Sequence, residues 1–179
     1  MVVRQSAGIV LFRRRSDGAS GGTHSEHTFD VLLGHPGGPF FANRDEGHWS
    51  IPKGEPDSPD EELLAVARRE FEEEVGHPAP QPEAGGPEPI ALGSIVQKGG
   101  KIVHAWAIEG DLDPELAASN EFEMEWPPRS GRLQRFAEID RVAWFDPAEA
   151  RRRLKPTQTP FVDRLAALLA PGDDNHDRA

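Results

Sequence analysis

The sequence predicts a mixed α/β sandwich, and three observations lead there. Short apolar runs bounded by Gly and Pro clusters recur along the chain and read as buried strands. One segment, SPDEELLAVARREFEEEVG, has the punctuation and the apolar period of a well-formed helix. The strands flank that helix on both sides in the chain, with few other helices, so a sheet covered by helices is the economical packing.

Taken in order, Ser6 to Phe12 and Phe29 to Leu33 read as two buried strands joined by a Gly/Ser-rich hairpin loop, Asp17 to His27. The loop HPGGPFF follows, and Trp49 to Pro52 forms a short strand leading into the helix. The helix is expected over Pro59 to Val75: Ser58 caps, Pro59 takes the first position, Glu61 completes a capping box and Gly76 supplies the left-handed stop. PAPQPEAGGPEP is too rich in Pro and Gly for regular structure. Strands resume at Ile90 to Val96 and Ile102 to Ile108 around a KGGK turn. Asp111 to Ile139 is a long polar loop, and Arg141 to Phe145 is the last strand. Asp146-Pro147 and Thr159-Pro160 each read as a cap followed by a first helical proline. Residues 1–170 are expected to be one domain and 171–179 a frayed tail.

Composition narrows the function. Acidic residues outnumber basic ones by 31 to 20, and a net charge of −11 repels nucleic-acid backbones and anionic membranes. Polymeric nucleic acid and membrane are therefore not expected as partners. The absence of cysteine excludes thiol catalysis and suits a reducing cytosol. No apolar stretch approaches the roughly 20 residues that span a bilayer, so a soluble, cytoplasmic protein is expected.

At about 100° per residue, Leu63, Leu64, Ala67, Phe71 and Val75 share the stripe that packs on the sheet. Glu70 and Glu74 project at the border of that stripe, Glu73 lies one step further round, and Glu62 and Glu72 point to water. Like charges at these spacings repel by about 0.2–0.5 kcal/mol per pair. Arg69 can pair with Glu73 one turn on, but one guanidinium does not neutralise three carboxylates. An oxygen-only ligand set selects a hard cation, Mg²⁺ or Mn²⁺. A solvated charged helix face fits the same pattern, and composition does not separate the two.

The run REFEEEVG, Arg69 to Gly76, resembles the core of the Nudix box: Gly, five residues, Glu, seven residues, then R-E-apolar-x-E-E-x-G-apolar. Seven residues separate Glu61 from Arg69, as the motif requires. Gly54 fits the first glycine, but six residues rather than five separate it from Glu61, and His77 replaces the final apolar position. HPGGPFF, WSIPKGE and FEMEWPPRSGR are similar to an uncharacterised bacterial Nudix subgroup predicted to act on nucleoside triphosphates. The resemblance implies an α/β/α sandwich with a mixed sheet and a hydrolase that cuts a diphosphate linkage in a small nucleotide-like substrate. It implies Mg²⁺ or Mn²⁺ held by Glu70, Glu73, Glu74 and the carbonyl of Lys53, with Arg69 orienting a catalytic glutamate.

Other candidates are each weighed against a plainer role. Lys53 and Gly54 sit near phosphate by resemblance, although PKG is also an ordinary turn. Glu61 is assigned to the cap rather than to catalysis. If NEFEMEW is extended, Glu121, Glu123 and Glu125 point one way, and Glu123 is chosen as a further ligand or base against the reading of a plain acidic loop. His35, Arg44, Arg129 and Arg132 are candidate phosphate binders. Trp126 and Trp106 are candidates for base stacking, with core packing as the alternative for both. The rival from another class is a non-catalytic nucleotide-binding or sensor module on the same fold. The order of the two is set by the intact Glu70, Glu73, Glu74 set, which a degenerate module has no need to keep.

Overall fold

A computed structural model describes residues 4–15 and 29–170. The expected 17–27 hairpin loop and 171–179 tail lie outside the described residues. The main sheet is built from β1 (Gln5–Arg14), β2 (Phe29–Pro36), β3 (Lys53–Gly54), β4 (Ile90–Val96), β5 (Ile102–Glu109) and β8 (Ile139–Phe145), where β6 (Glu121–Glu125) and β7 (Leu133–Ala137) form a separate pair. Its order is β4-β5-β1-β2-β8, and β3 lies beside β1. β1 runs parallel to β5 and antiparallel to β2 and β3, so the sheet is mixed as expected. β2 pairs with Phe12 to Arg14 only, and the vacated edge at Ala7 and Gly8 receives Lys53 and Gly54. Gly8 is required there: a Cβ would stand 2.6 Å from both the Lys53 Cβ and the Pro52 carbonyl.

The central strands are buried on both faces, which is why they read as continuous apolar runs. One face carries α1 (Leu63–Val75), which buries Val66, Ala67, Phe71 and Val75 against Ala7, Ile9, Leu11 and Ile108. Val66 is fully buried and Leu63 and Leu64 only partly, so the buried stripe is turned slightly from the expected one. The other face carries α2 (Pro147–Arg153) and α3 (Thr159–Leu169) over Val10, Phe12, Trp49 and Ile51. Among the described residues no helix is long and apolar enough to cross a membrane.

Several boundaries differ from the expected ones for local reasons. The helix starts at Leu63, not Pro59, with Glu62 as its extended N-terminal residue and no side-chain cap. Glu61 does not close a capping box, because its carboxylate accepts from the Asp57 N–H at 2.9 Å and from Arg69. Gly76 ends the helix at φ 82°, donating to the Glu72 carbonyl, as the left-handed stop requires. Trp49 and Ser50 make single bridges to Leu154 and Gly34 rather than a strand, and pairing proper begins at Lys53. The PAPQPEAGGPEP stretch, 78–89, contains a short 3-10 turn at Pro82–Ala84. Asp146 caps α2 through the Glu149 N–H, with Pro147 first. Thr159 is already helical and caps nothing, its hydroxyl donating to the Pro156 carbonyl.

The largest correction concerns 111–139. It contains a 3-10 turn, Pro114–Leu116, and the β6–β7 hairpin, in which Glu123 faces Arg135. Backbone hydrogen bonds tie this segment to the end of α1: Ala118 N–H donates to the Val75 carbonyl at 3.0 Å and Asn120 N–H to the Glu73 carbonyl at 2.9 Å. The next links are Glu138 N–H to the Asn120 carbonyl at 2.8 Å and Gly37 N–H to the Glu138 carbonyl at 2.9 Å. The last turn of a helix leaves carbonyls without partners, and the residues leading into the hairpin satisfy two of them.

Candidate active site

The site is assembled where β3 passes under the last two turns of α1. Gly54 has no side chain, and the Glu70 carboxylate fills the space: an added Cβ would stand 1.9 Å from its Oε2. One residue earlier, the Lys53 N–H donates to Glu74 Oε2 at 3.0 Å. Two carboxylates one helical turn apart are thus laid on two consecutive strand residues, which only a glycine at position 54 permits.

Arg69 is the local cation. Its guanidinium donates to Glu70 at 2.8 Å, Glu61 at 3.3 Å, Glu73 at 3.4 Å and the Glu55 carbonyl at 3.1 Å. Burial lowers its tendency to hold a proton, but the hydrogen bonds to Glu61 and Glu70 outweigh that and raise it above the ordinary arginine value. The additional residue between Gly54 and Glu61 is absorbed in the turn that Glu61 closes on Asp57, and Glu61 still reaches Arg69. Glu61 is therefore an anchor of this network, not the helix cap the sequence suggested.

Electrostatics separate the carboxylates. Glu74 is pushed up to about 7, first by burial, against the pull of Lys53 and its N–H, with Glu70 and Glu138 repelling it further. Glu70 is raised by burial, opposed by Arg69, with Glu73 and Glu138 adding repulsion. Nearby Glu55 is held at about 2 by hydrogen bonds from Arg4 at 2.5 Å and Lys101 at 2.8 Å. Burial thus holds Glu70 and Glu74 above the ordinary carboxylate value in spite of Arg69 and Lys53, and oxygen is the only donor atom the carboxylates offer. That combination fits a hard divalent cation. Among the described residues no three His, Asp or Glu side chains already converge as a cage.

The expected substrate groups divide. Lys53 and Gly54 lie at the centre. His35 is fully buried, its Nδ1 2.7 Å from Asp140 and its Nε2 2.5 Å from the Arg44 carbonyl, so both ring nitrogens are engaged and neither is offered to phosphate. It ties the 37–48 loop to β8. Glu123 is exposed and paired with Arg135 at 2.9 Å. The outside carboxylate that acts on Glu70 and Glu74 is Glu138, which sequence reasoning missed. A lone acid in AEID carries no periodic signal, and only closure of the hairpin brings it to α1. Arg44, Arg129 and Arg132 are exposed on the 37–48 loop and the hairpin tip. Trp126 packs edge-on against exposed Phe40 with ring centres 5.3 Å apart, while Trp106 packs in the core beneath α1. Beside Glu74, between Ser119, Ile139 and Asp140, lies a crevice of about 50 Å³. Ligand pockets are typically about 300–1,000 Å³, so this crevice by itself admits water but not a drug-sized ligand.

The family description for the NUDIX domain matches residues 1–165. No curated protein matches. Among solved structures, a Caenorhabditis elegans Ap4A hydrolase in a binary complex is 18% identical with a TM-score of 0.58, covering 92% of this chain and 98% of its own. The NUDIX domain of Shewanella oneidensis NrtR, complexed with ADP ribose, is 16% identical with a TM-score of 0.56, covering 94% and 90%. A mutT/nudix family protein from Listeria innocua is 18% identical with a TM-score of 0.55, covering 92% of each chain. At these identities the likeness is one of fold.

Proposed function

The chain belongs to the Nudix family of pyrophosphohydrolases, and from that premise we propose that it hydrolyses a diphosphate linkage in a nucleoside diphosphate-X substrate, of the nucleoside triphosphate or dinucleoside polyphosphate class, with a divalent cation, Mg²⁺ or Mn²⁺. The observation that carries this reading is the placement of Glu70 over bare Gly54 and of Glu74 on the Lys53 N–H, with Arg69 holding Glu70 and Glu73. Of the similar structures, one is an Ap4A hydrolase and another is complexed with ADP ribose, and both names point to nucleoside diphosphate-X compounds.

Glu70, Glu73 and Glu74, with the Lys53 carbonyl, would hold the cation. When bound, it neutralises the diphosphate and lowers the pKa of the attacking water. Arg69 keeps Glu70 and Glu73 from drifting into solvent as their mutual repulsion favours. Glu138, fixed through its own N–H and carbonyl, takes the place proposed for Glu123 as the carboxylate that accepts the water proton. Arg44, Arg129 and Arg132 stand on the loops that border the open face and meet outer phosphates, and the Trp126–Phe40 pair offers a ring face to a base.

The deciding experiment is a panel of nucleoside triphosphates, dinucleoside polyphosphates and nucleotide sugars, incubated with Mg²⁺, Mn²⁺ or excess chelator and read by product chromatography. A nucleoside monophosphate plus the other phosphorylated half, formed only with metal, is expected. Turnover that persists in chelator refutes the metal, and binding without any turnover favours the sensor module.

A further inference from the structure

His35, near the end of β2, sets both ring nitrogens against oxygen. Nδ1 stands 2.7 Å from Asp140 Oδ1 and Nε2 stands 2.5 Å from the Arg44 carbonyl. A neutral imidazole has one N–H and one lone pair, so against two acceptors it makes one hydrogen bond and turns a lone pair on the other oxygen. The ring is fully buried, so solvent does not reach the unmatched nitrogen. Only an imidazolium donates to both. Its counter-charge is Asp140, the residue skipped where the β2–β8 register shifts between His35 and Pro36, and the irregularity aims its carboxylate at the ring. Asp140 is 35% exposed and has the Arg141 guanidinium 3.6 Å from the same oxygen, so the pair divides as imidazolium and carboxylate, not as two neutral groups. Of the neighbouring charged groups, Asp45 is taken by Arg153 and by the Trp49 N–H, and the Arg44 guanidinium turns to His48.

The tether matters because little else holds the 37–48 loop. Its start is fixed where the Gly37 N–H donates to the Glu138 carbonyl at 2.9 Å, and its end where Asp45, Glu46 and Gly47 meet Arg152 and Arg153 of α2. Between these anchors, 38–44 bonds to itself, the Phe41 N–H to the Gly38 carbonyl and the Arg44 N–H to the Phe41 carbonyl. Among the described residues, the Arg44 carbonyl on His35 is the one hydrogen bond that ties 38–44 to a residue outside the loop. Its other anchorage is apolar, with Phe40 on Trp126 and Gly38 against the Phe122 ring.

We propose that His35 is a buried imidazolium and a positioning residue, whose two N–H groups clamp the 38–44 segment to β8 and so hold Arg44 and Phe40 where the substrate is met. The part played by those two side chains rests on the pyrophosphohydrolase reading; the charge of His35 does not. Acting through the Arg44 carbonyl, His35 touches no reacting atom, so its loss falls on substrate binding before chemistry. Without the Nε2 donor, 38–44 is left to its apolar contacts.

Long-range proton–nitrogen correlation spectra of the imidazole rings in the full chain at neutral pH read the charge directly. Two protonated ring nitrogens are expected for His35, and a single one overturns the proposal. Gln places an amide N–H where Nε2 stands and Asn places one where Nδ1 stands, so His35→Gln keeps the bond to Arg44 and His35→Asn does not. His35→Asn is expected to speed amide exchange at Phe41 and Arg44 by about tenfold, and to raise KM for an active substrate by about tenfold with kcat little changed. His35→Gln should stay within about threefold of the parent in each. A ring that only filled space would leave the two variants about equally impaired, so equal effects overturn the clamp, as does an unchanged KM in His35→Asn. Should neither variant fold, the ring spectrum of the parent decides. Two ring N–H groups and faster loop exchange in His35→Asn, in a chain that hydrolyses no diphosphate, refute the function and keep the clamp; hydrolysis with a single ring N–H does the reverse.

Discussion

Glu74→Gln isolates the conflict between stability and function at this site. In the folded chain the Glu74 carboxyl titrates at about 7, against an ordinary value of 4.5. The folded value is raised, so the contribution of the neutral group is fully present below about pH 4.5 and is lost as pH rises through about 7. The difference of about 2.5 pH units, at roughly 1.4 kcal/mol each, corresponds to about 3 kcal/mol of destabilisation above pH 7 without metal. Relaxation around the charge makes that an upper figure. Gln keeps the shape and can still accept from the Lys53 N–H, so the variant removes the charge and little else. For a domain of this size 1 kcal/mol moves Tm by about 2–4 °C, so in chelator at pH 8 Glu74→Gln should melt several degrees, up to about ten, above the parent. The gap should shrink towards zero at pH 4.5. Glu72→Gln, on the exposed face, is the control and should track the parent throughout. With metal and substrate the order reverses: Glu74→Gln should lose a hundredfold or more in turnover, a few kcal/mol of transition-state stabilisation, while Glu72→Gln stays within a few-fold. Thermal melts from pH 4.5 to 8 in chelator, beside steady-state rates, read both. Coincident melting of Glu74→Gln and parent at every pH, or a gap that widens towards acid, refutes the reasoning.

Three further outcomes follow from the geometry. Glu138→Gln should lower turnover at least tenfold because Glu138 faces Glu70 and Glu74, whereas Glu123→Gln breaks only an exposed ion pair and should stay near the parent in kcat; the reverse order restores Glu123. Arg69→Ala should cost about 1–3 kcal/mol, more than a surface pair, because Glu70 is only 14% exposed and is left unpartnered. Its kcat should fall further still, and normal turnover by the folded fraction would make Arg69 purely structural. Gly54→Ala forces the Glu70 carboxylate off the strand, and since a flexible side-chain end can move, the loss should appear in Mg²⁺ affinity and kcat with little change in Tm; an unchanged Mg²⁺ titration would show that Glu70 is no ligand.

What the sequence by itself determined are the features that repeat at short range. Apolar runs placed the strands of the main sheet, Gly76 placed the end of α1, and the fixed spacing from Arg69 to Gly76 placed the carboxylates on one edge of it. These depend on backbone period and on local hydrogen bonds, which neighbouring residues alone set. Only the tertiary structure decided where that edge points and what meets it. Gly54 meets Glu70, and Lys53 meets Glu74, because β2 leaves β1 early and vacates an edge, a pairing between distant segments. Glu61 became an anchor rather than a cap because Arg69 and Asp57, not the helix end, offered it the better hydrogen bonds. His35 moved from candidate ligand to buried tie because the β2–β8 bulge brings Asp140 against its ring. Glu138 has no pattern around it; hairpin closure brings it to the carboxylates, a contact that no local period encodes.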